Sequence, residues 1–203
     1  TDGCTATLST TIIVYPDAIA QINTTAIAGC APLTVTASDL FATSYTTNGT
    51  YTWTITDAAG NPVTTTPATL TGATGFNHTV TAVNTTLTVT LTVTSAHGCN
   101  SATATATITT YEDPDPSWTL TSNAGCNPFT PTVATVAATN TALTHSWEVF
   151  DATGTQVGTT LTGLNPTLPT LSNTSNTTNA TYTITHTVSD QNGCSDSQDL
   201  TVT

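Results

Sequence analysis

The sequence predicts an all-β protein built from antiparallel β-sandwiches arranged head to tail. Three observations carry that prediction. Distinct markers recur every 94 to 96 residues, apolar residues alternate with threonine at a period of two, and no segment shows a helical period.

The repeat is the strongest of these. The pair Gly-Cys follows a turn residue at Cys4, Cys99 and Cys194, two steps of 95 residues. Ala-Gly-Cys followed by x-Pro occurs at Cys30 and Cys126, 96 apart. Trp53 and Trp147 lie 94 apart, each four residues before an Asp-Ala-x-Gly turn, and Tyr15 and Tyr111 lie 96 apart, each followed by an acidic residue and proline close by. Independent markers sharing one period define one module.

Within each module the elements read as strands. Leu87, Val89, Leu91 and Val93 alternate with threonine, and Tyr182, Ile184, His186 and Val188 do the same. Leu33 and Val35 mark an early strand, and Tyr51, Trp53 and Ile55 a middle one. Ala-Ala-Gly-Asn, Ala-His-Gly and Gln-Asn-Gly punctuate these runs as turns. About seven short strands per module, with a tryptophan on the third, predict an Ig-like sandwich. Trp53 and Trp147 are the expected core residues of that third strand.

Phase sets the domains. The stretches after each late Gly-Cys read as last strands, so residues 1–15 are expected to be the last strand of a preceding repeat, or a strand donated to a neighbour. Residues 16–111 and 112–203 are then two whole repeats, joined at the acidic, proline-stiffened segment Tyr111-Glu-Asp-Pro-Asp-Pro116. The opening Thr-Asp-Gly-Cys has neither the basic region nor the apolar core of a signal peptide, which fits a mature segment whose export signal and anchor lie elsewhere.

Composition limits the partners. The chain has no Lys or Arg where average usage gives about 25 in this length, and its twelve carboxylates leave a formal charge of −12. Nucleic acid and anionic membrane surfaces are both bound through Lys and Arg, so neither is an expected partner. No run of apolar residues is long enough for a membrane-spanning helix. Trypsin-type proteases find no cleavage site, and Lys–Asn isopeptide cross-links cannot form. Threonine makes up 59 of the 203 residues; its β-branched side chain suits the exposed face of a strand. Sequons stand at Asn23, Asn48, Asn77, Asn84, Asn173, Asn176 and Asn179, candidate glycosylation sites in a compartment that glycosylates.

Gly29-Cys30-Ala31-Pro32-Leu33-Thr34-Val35-Thr36, Tyr51-Thr-Trp53 and the late run from Leu87 to Cys99 resemble PKD-type repeats in very large surface proteins of gliding and surface-attached Bacteroidota. The second repeat is similar through Asn127-Pro-Phe-Thr and His145-Ser-Trp147. Where that family carries W-x-F-G-D-G, this chain has Trp53-Thr-Ile-Thr-Asp57 and Trp147-Glu-Val-Phe-Asp151. The resemblance implies a PKD-like sandwich serving as a spacer or adhesive stalk, or as an accessory module on a secreted hydrolase.

Five cysteines recurring in phase point to disulfides, and none has a basic neighbour to lower its pKa and make it a nucleophile. Two pairings are open. In a head-to-tail array the A–B end of one sandwich faces the F–G end of the next, which favours an interdomain Cys30–Cys194 bond and leaves Cys4, Cys99 and Cys126 to pair outside this segment. The intradomain alternative, Cys30–Cys99 with Cys126–Cys194, needs a long folded-over A–B segment. Glu112, Asp113 and Asp115 form a candidate structural Ca²⁺ site at the linker, against the simpler reading of a solvated linker. His78, His97, His145 and His186 lack metal-ligand spacing. Trp118, with no tryptophan counterpart in the first repeat, is expected to pack at the linker or to meet a sugar.

These readings predict a non-enzymatic extracellular or cell-surface stalk or filament. Its partners would be neighbouring repeats or subunits of the same protein, with surface glycans as candidate ligands, and it would need no cofactor. The alternative is a carbohydrate-binding accessory module of a secreted enzyme. Polar markers repeat, whereas an active site occurs once.

Overall fold

The structure is a computed structural model that describes residues 2–40, 49–63, 70–71, 76–99, 102–137 and 143–203. In chain order its elements are β1 (Ala26–Cys30), β2 (Leu33–Thr36), the single helical turn α1 (Ala37–Leu40), β3 (Gly49–Thr56), β4 (Leu70–Thr71), β5 (Asn77–Val80), β6 (Thr85–Ser95) and β7 (Ala102–Tyr111). There follow β8 (Trp118–Leu120), β9 (Val133–Val136), β10 (Thr144–Asp151), β11 (Leu161–Thr162), β12 (Tyr182–Ser189) and β13 (Ser195–Val202).

Among the described residues the strands build four sheets, ordered β1-β7-β6-β3-β4, β2-β5, β11-β10-β12-β13 and β8-β9. The chain divides into two compact units: residues 1–27, 34–79 and 86–109 form one, and residues 28–33, 80–85 and 110–203 the other. Three short pieces of the first repeat, including the turn that carries Cys30, thus belong to the second unit. Residues 2–20 form no strand, although their pattern is that of β7 and β13. Leu8, Ile12 and Val14 in this segment are exposed.

In the first unit the period of two becomes burial. Along β6, Leu87, Val89, Leu91 and Val93 are buried and the threonines between them half-buried. Strand β3 runs antiparallel to β6 with Trp53 opposite Leu91 and Ile55 opposite Val89. On the other face the register sets Thr52 against Thr92, Thr54 against Thr90 and Thr56 against Thr88. Such cross-strand pairs contribute roughly 0.2–1 kcal/mol each, and they cover the sheet without a charged residue. The Trp53 indole packs on Phe76, ring centroids 5.0 Å apart. The turn α1 is held by Asp39, whose carboxylate accepts from the Thr36 amide and hydroxyl, both at 2.7 Å. Four residues are too few to show a helical period, which is why the sequence pattern gives no hint of it.

The second unit repeats the register with different chemistry. Trp147 on β10 stands opposite His186 on β12. Its indole lies flat on the imidazole at 3.8 Å and meets Trp118 edge-on at 4.8 Å. Both indole N–H groups find carbonyls, Trp147 that of Gly163 at 2.9 Å and Trp118 that of Gln198 at 3.2 Å. Trp118 therefore neither caps the linker nor faces solvent: it is buried in this unit's own core with Trp147, Val149, Leu171, Ile184 and Val202. Truncating such a buried indole to alanine costs about 3–5 kcal/mol.

His186 is fully buried where the first repeat has Leu91. Its Nδ1 lies 2.8 Å from the Pro116 carbonyl, which only accepts, so Nδ1 carries the proton. Its Nε2, 3.0 Å from His145 Nδ1, then accepts from His145 in the neutral pair. Burial holds His186 below the ordinary histidine value of 6.5, and His145 adds to this against the Pro116 hydrogen bond. Burial also lowers His145 and His78. All three are harder to protonate folded than unfolded, so the unfolded chain takes up protons first as the pH falls through 6.5. Their contribution is whole above that pH and is lost below it. Urea midpoints measured between about pH 5 and 8 should fall toward acid, and H186L, which installs the first repeat's residue, should shrink that slope. An unchanged slope would remove His186 from the account.

Candidate functional site

The cysteines are the residues that the repeat places most consistently, and the structure bonds two of them. Cys30 closes β1 and Cys194 follows the β12–β13 turn; their Cα atoms are 5.5 Å apart and a disulfide joins them across 164 residues of sequence. That Cα spacing falls at the common disulfide value. Cys194 is fully buried. Cys4 and Cys126 are exposed and Cys99 half-buried, all three as free thiols, so neither Cys30–Cys99 nor Cys126–Cys194 forms here.

Local chemistry sets both halves of the bond. The Asp190 Oδ1 accepts from the amides of Asn192 and Cys194, each at 2.8 Å, and the Gly193 amide donates to the Asp190 carbonyl at 3.3 Å. Gly193 has φ +85°, which only glycine adopts at little cost. Desolvation raises the Asp190 pKa, but the amides of Cys194, Asn192 and Gly193 and the Asn192 side chain together carry it below the ordinary carboxylate value. Asp57 and Asp151 use the same device in the β3 and β10 turns: Asp57 accepts from the amides of Ala59 and Asn61, and Asp151 from those of Thr153 and Thr155. On the other half, the Ala31 amide donates to the Tyr111 carbonyl at 2.9 Å and ties the Cys30 turn to the end of β7. A Cβ on Gly29 would lie 3.0 Å from Leu33 Cδ1, so glycine lets this leucine fold over the turn.

The linker carboxylates do not converge. Glu112 accepts from Asn84 Nδ2 at 3.1 Å, and Asp115 Oδ1 from the Ser117 amide at 2.9 Å. Hydrogen bonds from Ser117, backbone first, hold the Asp115 carboxyl below its ordinary value. Among the described residues, the single trio of candidate metal-ligand atoms within 4.8 Å of one another is Asp113 with Cys30 and Cys194. Sulfurs joined to each other offer no thiolate, so that trio is a disulfide beside a carboxylate.

No protein-family model matches the sequence, and no curated protein matches it. Among solved structures the chain is similar to the crystal structure of chicken CNTN1 FN1-FN3 domains, with a TM-score of 0.40 and 15% identity over 90% of this chain and 66% of that one. It is also similar to the crystal structure of a tetra-tandem repeat in the extending region of a large adhesion protein, with a TM-score of 0.25 and 23% identity over 77% of this chain and 42% of that one. The chain therefore spans less than two thirds of either.

Of the sequon asparagines, Asn23, Asn77, Asn84, Asn176 and Asn179 are exposed and Asn48 lies outside the described residues. Asn173 is half-buried, its Nδ2 donating to the Thr178 carbonyl at 2.8 Å and its Oδ1 accepting from the Ser175 amide. It organises the loop on which the last three sequons stand. Trp53 and Trp147 serve the core, and the histidine pair His145–His186 serves packing. Sequence periodicity had no means of showing that pair, because the two residues are 41 apart and meet only through the β10–β12 register.

Closing a loop of more than 100 residues removes about 4.7 kcal/mol or more of chain entropy from the unfolded state. C30A should therefore lower unfolding stability by about 3–5 kcal/mol, measured by urea titration at neutral pH, and reduction of the unaltered protein should match it. Equal stability of the oxidised and reduced protein would contradict this assignment.

Proposed function

We propose that this chain is a segment of a non-enzymatic extracellular stalk or filament, structural or adhesive, in which tandem sandwiches are stapled by disulfides. The observation that carries the reading is the Cys30–Cys194 bond, which links the Gly-Cys-x-Pro turn of one repeat to the Gly-Cys turn of the next. Disulfides persist in oxidising compartments outside the cytosol. A bond between equivalent landmarks of successive repeats serves an array of any length.

The surface fits the same role. Threonine faces, turns fastened by Asp side chains and an absence of cations give a chain that trypsin-type enzymes cannot enter. Exposed sequons offer sites for glycans on the faces rather than in the core. Neighbouring repeats are the partners, and surface glycans are the candidate adhesive ligands. The proposed boundaries keep residues 16–111 and 112–203 as the repeating modules.

The test has two readouts. Trypsin should leave even the reduced, urea-unfolded chain intact by mass spectrometry, while chymotrypsin cuts it. Antibodies to the chain should label unpermeabilised cells of the source organism. Labelling confined to the cytosol would overturn the reading, and saturable binding of one glycan by the isolated chain would favour the accessory-module alternative.

A further inference from the structure

The second repeat carries a sequence counterpart of the Cys30 turn, the seat to which Cys194 is bonded. Ala124-Gly125-Cys126-Asn127-Pro128 matches Ala28-Gly29-Cys30-Ala31-Pro32 at a spacing of 96. Cys30 is bonded, whereas Cys126 is an exposed free thiol at the rim of a cavity of about 450 Å³. Phe129, Leu171, Tyr182 and Val202 give that cavity an apolar wall, and Asn173 gives it a polar edge. Gly125 shapes it: a Cβ there would lie 2.0 Å from Phe129 Cδ2, so only glycine lets the ring turn in beneath the cysteine. The same relation holds between Gly29 and Leu33 in the first repeat.

The complementary half is also present and unbonded. Cys99 follows the β6–β7 turn as Cys194 follows the β12–β13 turn. Gly98 has φ +73° against +85° for Gly193, and each glycine amide donates at 3.3 Å to the carbonyl three residues back, Ser95 in one turn and Asp190 in the other. Ser95 Oγ accepts from the His97 amide at 3.3 Å where Asp190 accepts from Asn192. The Cys99 thiol is half-buried, 3.8 Å from the Tyr15 carbonyl.

We propose that the cavity beside Cys126 receives the Ser95–Cys99 turn of a second copy of this chain, and that Cys126 and that Cys99 close as an intermolecular disulfide. This rests on the array reading above and names the partner and the bond. The oxidant is a low-molecular-weight disulfide. The Cys126 thiolate attacks it and releases one thiol; the incoming Cys99 thiolate then attacks the Cys126 sulfur and releases the second. Two electrons pass to the oxidant, and the two cysteine protons end on the released thiols.

The experiment uses the full chain carrying C4S, so that Cys99 and Cys126 are its only free thiols. It is incubated concentrated in a mixture of oxidised and reduced glutathione and read on non-reducing gels and by disulfide mapping after chymotrypsin. Expected are dimers and higher ladders joined through a Cys126–Cys99 peptide, forming about tenfold faster or more than in denaturing urea because docking raises the local thiol concentration. C126S and C99A should each abolish the ladder while leaving Cys30–Cys194 mapped and the circular dichroism unchanged. Symmetric Cys126–Cys126 or Cys99–Cys99 dimers, or rates no faster than in urea, would overturn the seat. If Cys30–Cys194 is itself missing from the same digest, it is the array reading that fails.

Discussion

Each unit is organised around one antiparallel strand pair that buries a tryptophan at a fixed register. In the first, Trp53 stands against Leu91, and in the second Trp147 against His186. Everything else is placed from that pairing. Because side chains alternate across a strand, fixing one indole inward fixes Leu87, Val89 and Val93, or Ile184 and Val188, on the same side and sends the threonines outward. A slip of one residue would invert both faces, so the alternation itself protects the register.

The cost of building without cations is visible in what replaces ion pairs. Carboxylates have only backbone amides, hydroxyls and amide side chains as partners, and the structure spends several of them on turns, with Asp57, Asp151 and Asp190 each gathering amides two and four residues ahead. Exposed ion pairs contribute little to stability, so their absence is easily borne. Asp190 also bears on the disulfide, since the amide it holds at its fourth position is that of Cys194, half of the only disulfide among the described residues. A local turn motif thus aims a long-range covalent bond.

Much of this was legible in the sequence because it depends on short-range pattern. Period-two runs located β2, β3, β6 and β12, and Trp147, spaced 94 residues from Trp53, marked β10. What remained hidden depends on contacts distant in the chain. Trp118 stands beside a linker in sequence, yet β8 carries it into the second unit's core against Trp147. His145 and His186 become a hydrogen-bonded stack only once β10 and β12 are in register. The turn at Ala37–Leu40 is too short to leave a periodic trace. The cavity at Cys126 is shaped by Gly125 and Phe129, which sequence alone would read as an unremarkable turn.

In the proposed stalk, the Cys30–Cys194 bond should take tension in place of the folded chain it encloses. Pulling single molecules from their two ends measures this directly. With the Cys30–Cys194 bond intact, the 164-residue span it closes should contribute no extension beyond the bond itself. Adding a reductant under force should then release roughly 590 Å of contour length, at about 3.6 Å per residue of that span. Full extension of the oxidised chain, equal to that of the reduced one, would contradict the account.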